Sequence, residues 1–404
     1  MPFSKLGLSK SLINTLAKLN YKEPTPIQKE SIPSILSGKD VLGIAPTGSG
    51  KTASFVLPVL NNLEKRPTPL RNRRVKVLVV VPTRELAVQV NEVFHEFARG
   101  LRVRVKTLAV YGGVSINPQM IALQNVHVLT ATPGRLLELI DKKSVLISNV
   151  ETLILDEADK LLNNSFQDEL DRILSLLPKK RQNLLFSATL SDKVSEVTKV
   201  LLKKPAVLNK QTTSNQLIAP NQPKIDEPAV IKITPKEDNI ELINQSAYLV
   251  LDEKKGPLLR YLIKTNNYKQ VLVFASSVFK ADKIANKLYK NGIKAMSIHS
   301  KKSQGARTKA LKRFKTGELQ VLVTTDLLSR GIDIEFLPCV INYELPRSPK
   351  DYIHRIGRTG RAEASGEAIA LVTKEELPHF KTIQKKMGKW IKLNYSEELD
   401  LHGY

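Results

Sequence analysis

Short runs of Val, Ile and Leu recur along the chain, separated by longer amphipathic stretches. In the first half the runs fall at 41–45 (VLGIA), 75–81 (VKVLVVV), 105–110, 126–130, 152–156 (TLILD) and 183–187 (NLLFS). Several are apolar throughout rather than alternating, as in strands buried on both faces of a parallel sheet. The stretches between them, such as 84–98 and 190–203, space their apolar positions as helices do. This strand–helix rhythm predicts a doubly wound α/β sheet.

The rhythm breaks over 209–238, a polar segment with four prolines and no sustained periodicity. Such composition predicts a linker or an insertion. The rhythm then resumes, with strands expected at 246–251, 270–275, 294–298, 320–325, 339–343 and 367–372, and helices at 278–291, 303–315 and 374–388. The expected organisation is therefore an N-terminal domain over 1–208, a linker over 209–244, a second α/β domain over 245–390 and a short tail over 391–404. Two such domains on a flexible connection would form a cleft that opens and closes.

Composition narrows the class. The 404 residues suffice for two or three cored domains. No run approaches the roughly 18 apolar residues of a membrane span, and the start, MPFSKLGLSK, lacks the apolar core of a secretory signal. Cys339 stands alone, which excludes an internal disulfide and a multi-cysteine metal site. The expectation is a soluble, cytoplasmic protein with no membrane partner. Sixty-three Lys and Arg against 39 Asp and Glu give a net charge of +24, which suits a polyanionic partner such as nucleic acid. No long heptad run argues for an oligomer, so a monomer is expected.

Two segments carry chemistry. After the first apolar run comes Ala45-Pro46-Thr47-Gly48-Ser49-Gly50-Lys51-Thr52. Glycines here let backbone N–H groups approach phosphate oxygens, and the following helix N-terminus adds positive potential. Lys51 would reach the β- and γ-phosphates, and Thr52 would offer its hydroxyl to Mg²⁺. The general pattern has Gly where Ala45 stands. At the end of the apolar run 152–155 lie Asp156 and Glu157. Asp156 would hold Mg²⁺ and Glu157 would orient or deprotonate the attacking water. In this order the two segments make an ATP site.

The second half has no phosphate loop but supplies cations, in His354-Arg355-Ile356-Gly357-Arg358-Thr359-Gly360-Arg361. On a helix, Arg358 and Arg361 would share a face and could both reach a γ-phosphate across the cleft.

With these residues on the page, the chain resembles the DEAD-box RNA helicases along nearly its whole length. The likeness is carried by Pro82-Thr83-Arg84-Glu85-Leu86-Ala87, Gly112-Gly113, Thr132-Pro133-Gly134-Arg135, Asp156-Glu157-Ala158-Asp159 and Ser187-Ala188-Thr189. It continues through Phe274 with Ser277, Gln304 with Arg307, Arg330-Gly331-Ile332-Asp333 and the His354–Arg361 run. Within that family it resembles the bacterial RhlE-like branch, in an almost bare core form. Asn20, Ser329 and the length of 209–238 depart from the usual pattern.

The resemblance implies an α/β fold of two tandem RecA-like domains, each a mostly parallel sheet flanked by helices, joined by a linker. It implies ATP and Mg²⁺ as cofactors and RNA-stimulated ATP hydrolysis coupled to local duplex unwinding or remodelling of RNA–protein complexes. Thr47 and Ser49 would belong to the phosphate loop. Gln28 would select adenine, with Phe3 and Tyr21 as aromatics for its ring, and Asp333 would contact the ribose. Arg358 and Arg361 would be arginine fingers, while Ser187 and Thr189 would couple nucleotide state to strand separation. Asp159 and His354 would link the acidic segment to its neighbours.

RNA would be held by Pro82, Thr83, Arg84, Gly113, Thr132, Gly134, Arg135, Arg307, Thr324 and Arg330. These are hydroxyls, glycines and arginines suited to sugar–phosphate contacts, with no aromatic platform among them. Binding should be sequence-tolerant and salt-sensitive, with a log–log slope of roughly −3.5 for about five phosphates at about −0.7 each. Ribosomal or RNA-decay assemblies are the settings the family implies. Two alternatives stay open at this level: an ATP-gated RNA clamp that rarely turns over, and a DNA helicase of the same superfamily.

Overall fold

The computed structural model describes residues 1–46, 48–67, 73–162, 166–190, 192–201, 206–207, 229–232, 243–326, 337–359 and 366–404. The chain divides into two compact units, 1–235 and 236–404.

The first unit is built on a parallel sheet. Its strands are β1 (Val41–Ile44), β2 (Val77–Val80), β3 (Thr107–Val110), β4 (Val128–Ala131), β5 (Thr152–Leu155), β6 (Gln182–Ser187), β7 (Ala206–Val207) and β8 (Ala229–Lys232). Their order is β3-β4-β2-β5-β6-β1-β8-β7. Alternate residues of each central strand enter opposite cores. Val77, Val79, Ile154, Leu184 and Phe186 pack into one. Leu78, Val80, Leu153, Leu155 and Leu185 pack into the other. Both faces being buried is why these segments read as continuous apolar runs.

The second unit carries β9 (Ile243–Leu249), β10 (Val271–Phe274), β11 (Ala295–Ile298), β12 (Val321–Thr324), β13 (Cys339–Asn342), β14 (Gly366–Val372) and β15 (Leu393–Tyr395). All pair in parallel, in the order β11-β12-β10-β13-β14-β9-β15. The expected α/β architecture is present in both halves. The helix expected at 84–98 runs over Arg84–Ala98, with Thr83 accepting from the Leu86 N–H at 3.3 Å as its N-cap.

Two boundaries differ from the sequence reading. Residues 229–232, inside the expected linker, pair in parallel with β1 from Val41↔Ala229 to Ile44↔Lys232. Residues 393–395, inside the expected tail, pair with β9. Each is a short strand whose hydrogen bonds come from a distant partner, a signal that local composition does not carry. The remainder of 209–244, apart from β8 and the first residues of β9, lies outside the described residues.

Candidate nucleotide and nucleic-acid site

The phosphate loop leaves the C-terminal end of β1, and Asp156 follows β5. Strand β6 lies between them, so its last residue, Ser187, stands between loop and acids. Ligand sites of open α/β sheets form at such carboxyl ends.

The loop is held by its own chain. Ala45 is buried, and its N–H donates to the Ser187 carbonyl at 3.1 Å. Backbone bonding there tolerates a methyl group in place of the usual glycine. Ser49 Oγ donates to the Pro46 carbonyl at 2.8 Å. Gly48 and Gly50 have φ of 76° and 88°, the left-handed region that glycine enters without a Cβ penalty. Gly50 caps the helix Lys51–Lys65 with no side-chain cap, which leaves first-turn N–H groups to serve an anion. Thr52 lies in that turn. Lys51 Nζ donates to the Ala45 and Pro46 carbonyls at 2.6 and 2.7 Å. Thr47 lies outside the described residues.

Asp156 is 3% exposed. Burial, followed by the neighbouring Glu157 carboxylate, pushes its pKa up to about 6, against the pull of Lys51 and of the Glu157 N–H. A buried carboxyl and a threonine hydroxyl are hard oxygen donors of the kind that suits Mg²⁺. Glu157 has φ 54°, a strained conformation for a residue with a Cβ, and its carboxylate pairs with Lys160 at 2.7 Å. Its i,i+3 partner was legible in the sequence but not singled out.

Asp159 meets the segment at the end of β6. Ser187 Oγ lies 2.8 Å from one of its oxygens and Thr189 Oγ1 donates to the other at 3.4 Å. Ser187 Oγ also lies 2.7 Å from the Thr189 carbonyl. The three residues form one hydrogen-bonded node.

Gln28 is buried. Its Oε1 accepts from the Thr25 N–H at 3.0 Å and its Nε2 donates to the Gly50 carbonyl at 3.1 Å. Tyr21 is 37% exposed, edge-on to Phe97 at 5.5 Å between centroids. Phe3 corrects the expectation of an adenine-side aromatic, since it is 5% exposed inside the core with Leu6, Leu12 and Leu16 and offers no open ring face.

The nucleic-acid candidates of the first unit gather on the same sheet edge, beyond the ends of β2, β3 and β4. A Cβ on Gly113 would meet the Arg84 guanidinium at 1.8 Å, so the two are in direct contact. Thr132 precedes the helix Pro133–Asp141, whose first turn exposes Gly134. Pro82 is buried. Arg135 is 7% exposed, with Nε on Glu138 at 2.8 Å and Nη2 on the Val114 carbonyl at 2.9 Å. It thereby ties the segment at Val114 to this helix.

In the second unit, Thr324 is fully buried at the end of β12 and Arg307 is 5% exposed beside Gln304. The expected helix through Arg358 and Arg361 is also corrected. The helix Pro349–Ile356 ends at Gly357, and Arg358 sits in the turn beyond it, its carbonyl accepting from the Leu337 N–H at 3.0 Å. Glycine inside the run ends the helix before the face can form. Arg361, Arg330 and Asp333 lie outside the described residues.

Arg355 points inward at 2% exposure. It binds Asp326 through Nε and Nη2 at 2.5 and 2.8 Å, and Asn342 and the Glu344 carbonyl through Nη1 at 2.9 and 2.7 Å. Its guanidinium lies 4.8 Å from the Phe274 ring centroid. Sequence reading counted it only as part of a basic run.

A cleft of about 810 Å³, lined in part by Leu63, Arg66, Val77, Arg104, Thr152 and Arg181, opens at the opposite, N-terminal edge of the first sheet, away from this chemistry. Among the described residues no helix is long and apolar enough to cross a membrane.

Comparison with known proteins gives the same reading. Residues 25–197 match the DEAD/DEAH box helicase family model and residues 253–363 match the helicase conserved C-terminal domain. The chain is 37% identical over 384 residues to the DEAD-box ATP-dependent RNA helicase CshA of Bacillus anthracis, covering 95% of this chain and 67% of that one. It is 39% identical over 389 residues to the ATP-dependent rRNA helicase rrp3 of Botryotinia fuckeliana, covering 96% and 74%. Among solved structures it is similar to S. cerevisiae Dbp5 bound to RNA and ADP BeF3, with a TM-score of 0.79, 27% identity and coverage of 98% and 95%. It is also similar to Mss116 bound to ssRNA and UDP-BeF, with a TM-score of 0.81, 27% identity and coverage of 98% and 80%.

Proposed function

We propose that this chain, which belongs to the DEAD/DEAH box helicase family, is an ATP-dependent RNA helicase that couples RNA-stimulated ATP hydrolysis to closure of its two units. The closure separates RNA strands locally or remodels RNA–protein complexes. The observation that carries this reading is the gathering of Lys51, Asp156, Glu157, Ser187 and Thr189 on one sheet edge beside the Gln28–Gly50 contact.

ATP enters with its phosphates on the loop from Thr47 to Gly50 and on the N-terminus of the helix beginning at Lys51. Lys51 exchanges its bonds to the Ala45 and Pro46 carbonyls for the β- and γ-phosphates. Gln28 reads the adenine edge, Tyr21 flanks the ring, and Asp333 takes the ribose. Thr52 and Asp156 would hold Mg²⁺, which would supply charge neutralisation to the phosphates. Glu157, pinned by Lys160, orients and deprotonates the attacking water.

Arg358 and Arg361 come from the second unit to the γ-phosphate. Such fingers are worth about 10³–10⁵ in rate in other nucleotide hydrolases. The split of the site supports closure as the trigger: loop and acids precede residue 190, and the arginines follow residue 350. The Ser187–Thr189–Asp159 node passes the nucleotide state to the RNA side. RNA is held through sugar and phosphate by Thr83, Arg84, Gly113, Thr132, Gly134 and Arg330, with Pro82, Arg135, Arg307 and Thr324 shaping those segments.

The finer assignments rest on resemblance and composition. They are the RhlE-like branch, a cytoplasmic monomer, and ribosomal or RNA-decay assemblies as the setting.

Lys51→Ala tests the reading. The variant should fold as the wild type does, judged by circular dichroism and melting, and should lose ATP-dependent unwinding of an RNA duplex. Normal unwinding by this variant would overturn the mechanism.

A further inference from the structure

Phe279 is the unusual feature of the second unit's strand-end edge. It is 75% exposed, although a phenylalanine in the first turn of a helix can ordinarily turn against the sheet. Singly exposed apolar residues are common and need no explanation. This one differs in how it is mounted.

Both of its flanks are fixed. The helix Val278–Lys290 is capped by Ser277, whose hydroxyl accepts from the Lys280 N–H at 3.2 Å. Lys280 is ion-paired to Glu344, and the other Glu344 oxygen accepts from the Ser276 N–H at 2.7 Å. One turn beyond Phe279, Asp282 receives the Ser297 hydroxyl, His299 Nε2 at 3.0 Å and Lys302 Nζ at 2.9 Å. The first turn of this helix is thus tied to the segment after β11 on one side and to the segment after β13 on the other. The backbone that carries the exposed ring is therefore held in place from both sides.

Its place is also specific. Strands β10, β11 and β12 are neighbours, and register sets Phe274 and Ile298 each beside Thr324. The segments leaving β10 and β11 carry Ser276, Ser277, Lys301 and Lys302, the last paired to Asp282, and two helices capped by Ser277 and Ser303 begin on the same edge, at Val278 and Gln304. N–H groups, hydroxyls and ammonium groups suit a sugar–phosphate chain. An aromatic face among them suits the base that such a chain carries.

We infer that Phe279 is a stacking platform for an unpaired RNA base, beside the backbone contacts at the ends of β10, β11 and β12. The inference rests on the RNA-helicase reading and adds to it a contact to the base itself. Stacking on a ring face accepts any base, so binding stays sequence-tolerant.

The test pairs a side-chain deletion with a base deletion. Affinity for single-stranded RNA is measured with the wild-type chain, Phe279→Ala and Phe279→Tyr, using an ordinary oligonucleotide and one of equal length with abasic sites. The ring's exposure means that its removal leaves the core untouched. Phe279→Ala should weaken binding of the ordinary RNA by about 5- to 150-fold, the equivalent of about 1–3 kcal/mol for one stacked base. It should leave binding of the abasic RNA unchanged, and Phe279→Tyr should retain wild-type affinity. Equal affinity of Phe279→Ala and wild type for ordinary RNA would overturn the inference, as would an equal loss on both RNAs. Failure of the wild-type chain to bind either RNA would overturn the helicase reading itself.

Discussion

Gln28 Nε2 donates to the Gly50 carbonyl at 3.1 Å, joining the segment expected to read adenine to the loop expected to hold phosphate. The contact is close-packed as well as polar. A Cβ on Gly50 would lie 2.4 Å from Gln28 Nε2, at a φ of +88° that only glycine adopts without strain. Gly50→Ala should therefore weaken ATP binding about tenfold and lower the melting temperature by a few degrees. Left-handed backbone costs a residue with a Cβ roughly 1–2 kcal/mol, about a factor of ten in affinity. Titration with a fluorescent ATP analogue measures it, and unchanged affinity would separate Gln28 from phosphate binding.

The Ser187–Thr189–Asp159 node predicts a division between chemistry and work. Ser187→Ala removes the hydroxyl that meets Asp159 and the Thr189 carbonyl. ATP hydrolysis should stay within a few-fold of wild type, while RNA unwinding per ATP falls by an order of magnitude or more. Parallel loss of both activities would show that the node serves hydrolysis directly.

Asp326 supports Arg355, and with it the stem that leads to Arg358. Removing the carboxylate leaves a buried guanidinium without its main partner, which typically costs about 3–5 kcal/mol, with the lower end expected because Asp326 is 35% exposed. Asp326→Ala should lower the unfolding midpoint of the second unit accordingly. A change of a few tenths of a kcal/mol would mean that the Asn342 and Glu344 contacts suffice.

Asp282 predicts an acid dependence. Burial alone would raise its pKa, but bonds from Ser297, His299 and Lys302 hold it well below the usual carboxylate range. Its ionised form is favoured in the folded state. The stabilisation is present above about pH 4, the ordinary aspartate value, and is lost as pH falls through the depressed one. Asp282→Asn should cost on the order of 1 kcal/mol at pH 7, discounted because the side chain is 37% exposed. That difference should vanish in acid, and a difference independent of pH would contradict the assignment.

Much of this architecture was legible in the sequence for one physical reason. Strands such as β2 and β6 are buried on both faces, and the chemistry stands immediately after them, so apolar runs and motif spacing locate the site together. What escaped depends on distant partners. Strand β8 reads as a piece of a proline-rich linker because only its pairing with β1 makes it a strand. Phe3 reads as a free aromatic because nothing local reveals that Leu12 and Leu16 share its core. The burial of Arg135 and Arg355 escapes a sequence reading because charge does not announce burial, and the helix expected through Arg358 ends at Gly357.

The most direct measurement is steady-state ATP hydrolysis by the purified chain without nucleic acid, with single-stranded RNA and with the matching DNA. The account predicts strong stimulation by RNA and little by DNA, since only RNA offers the 2′-hydroxyl to the strand-end contacts. Equal stimulation by both, or tight ATP-dependent RNA binding with negligible turnover, would contradict it.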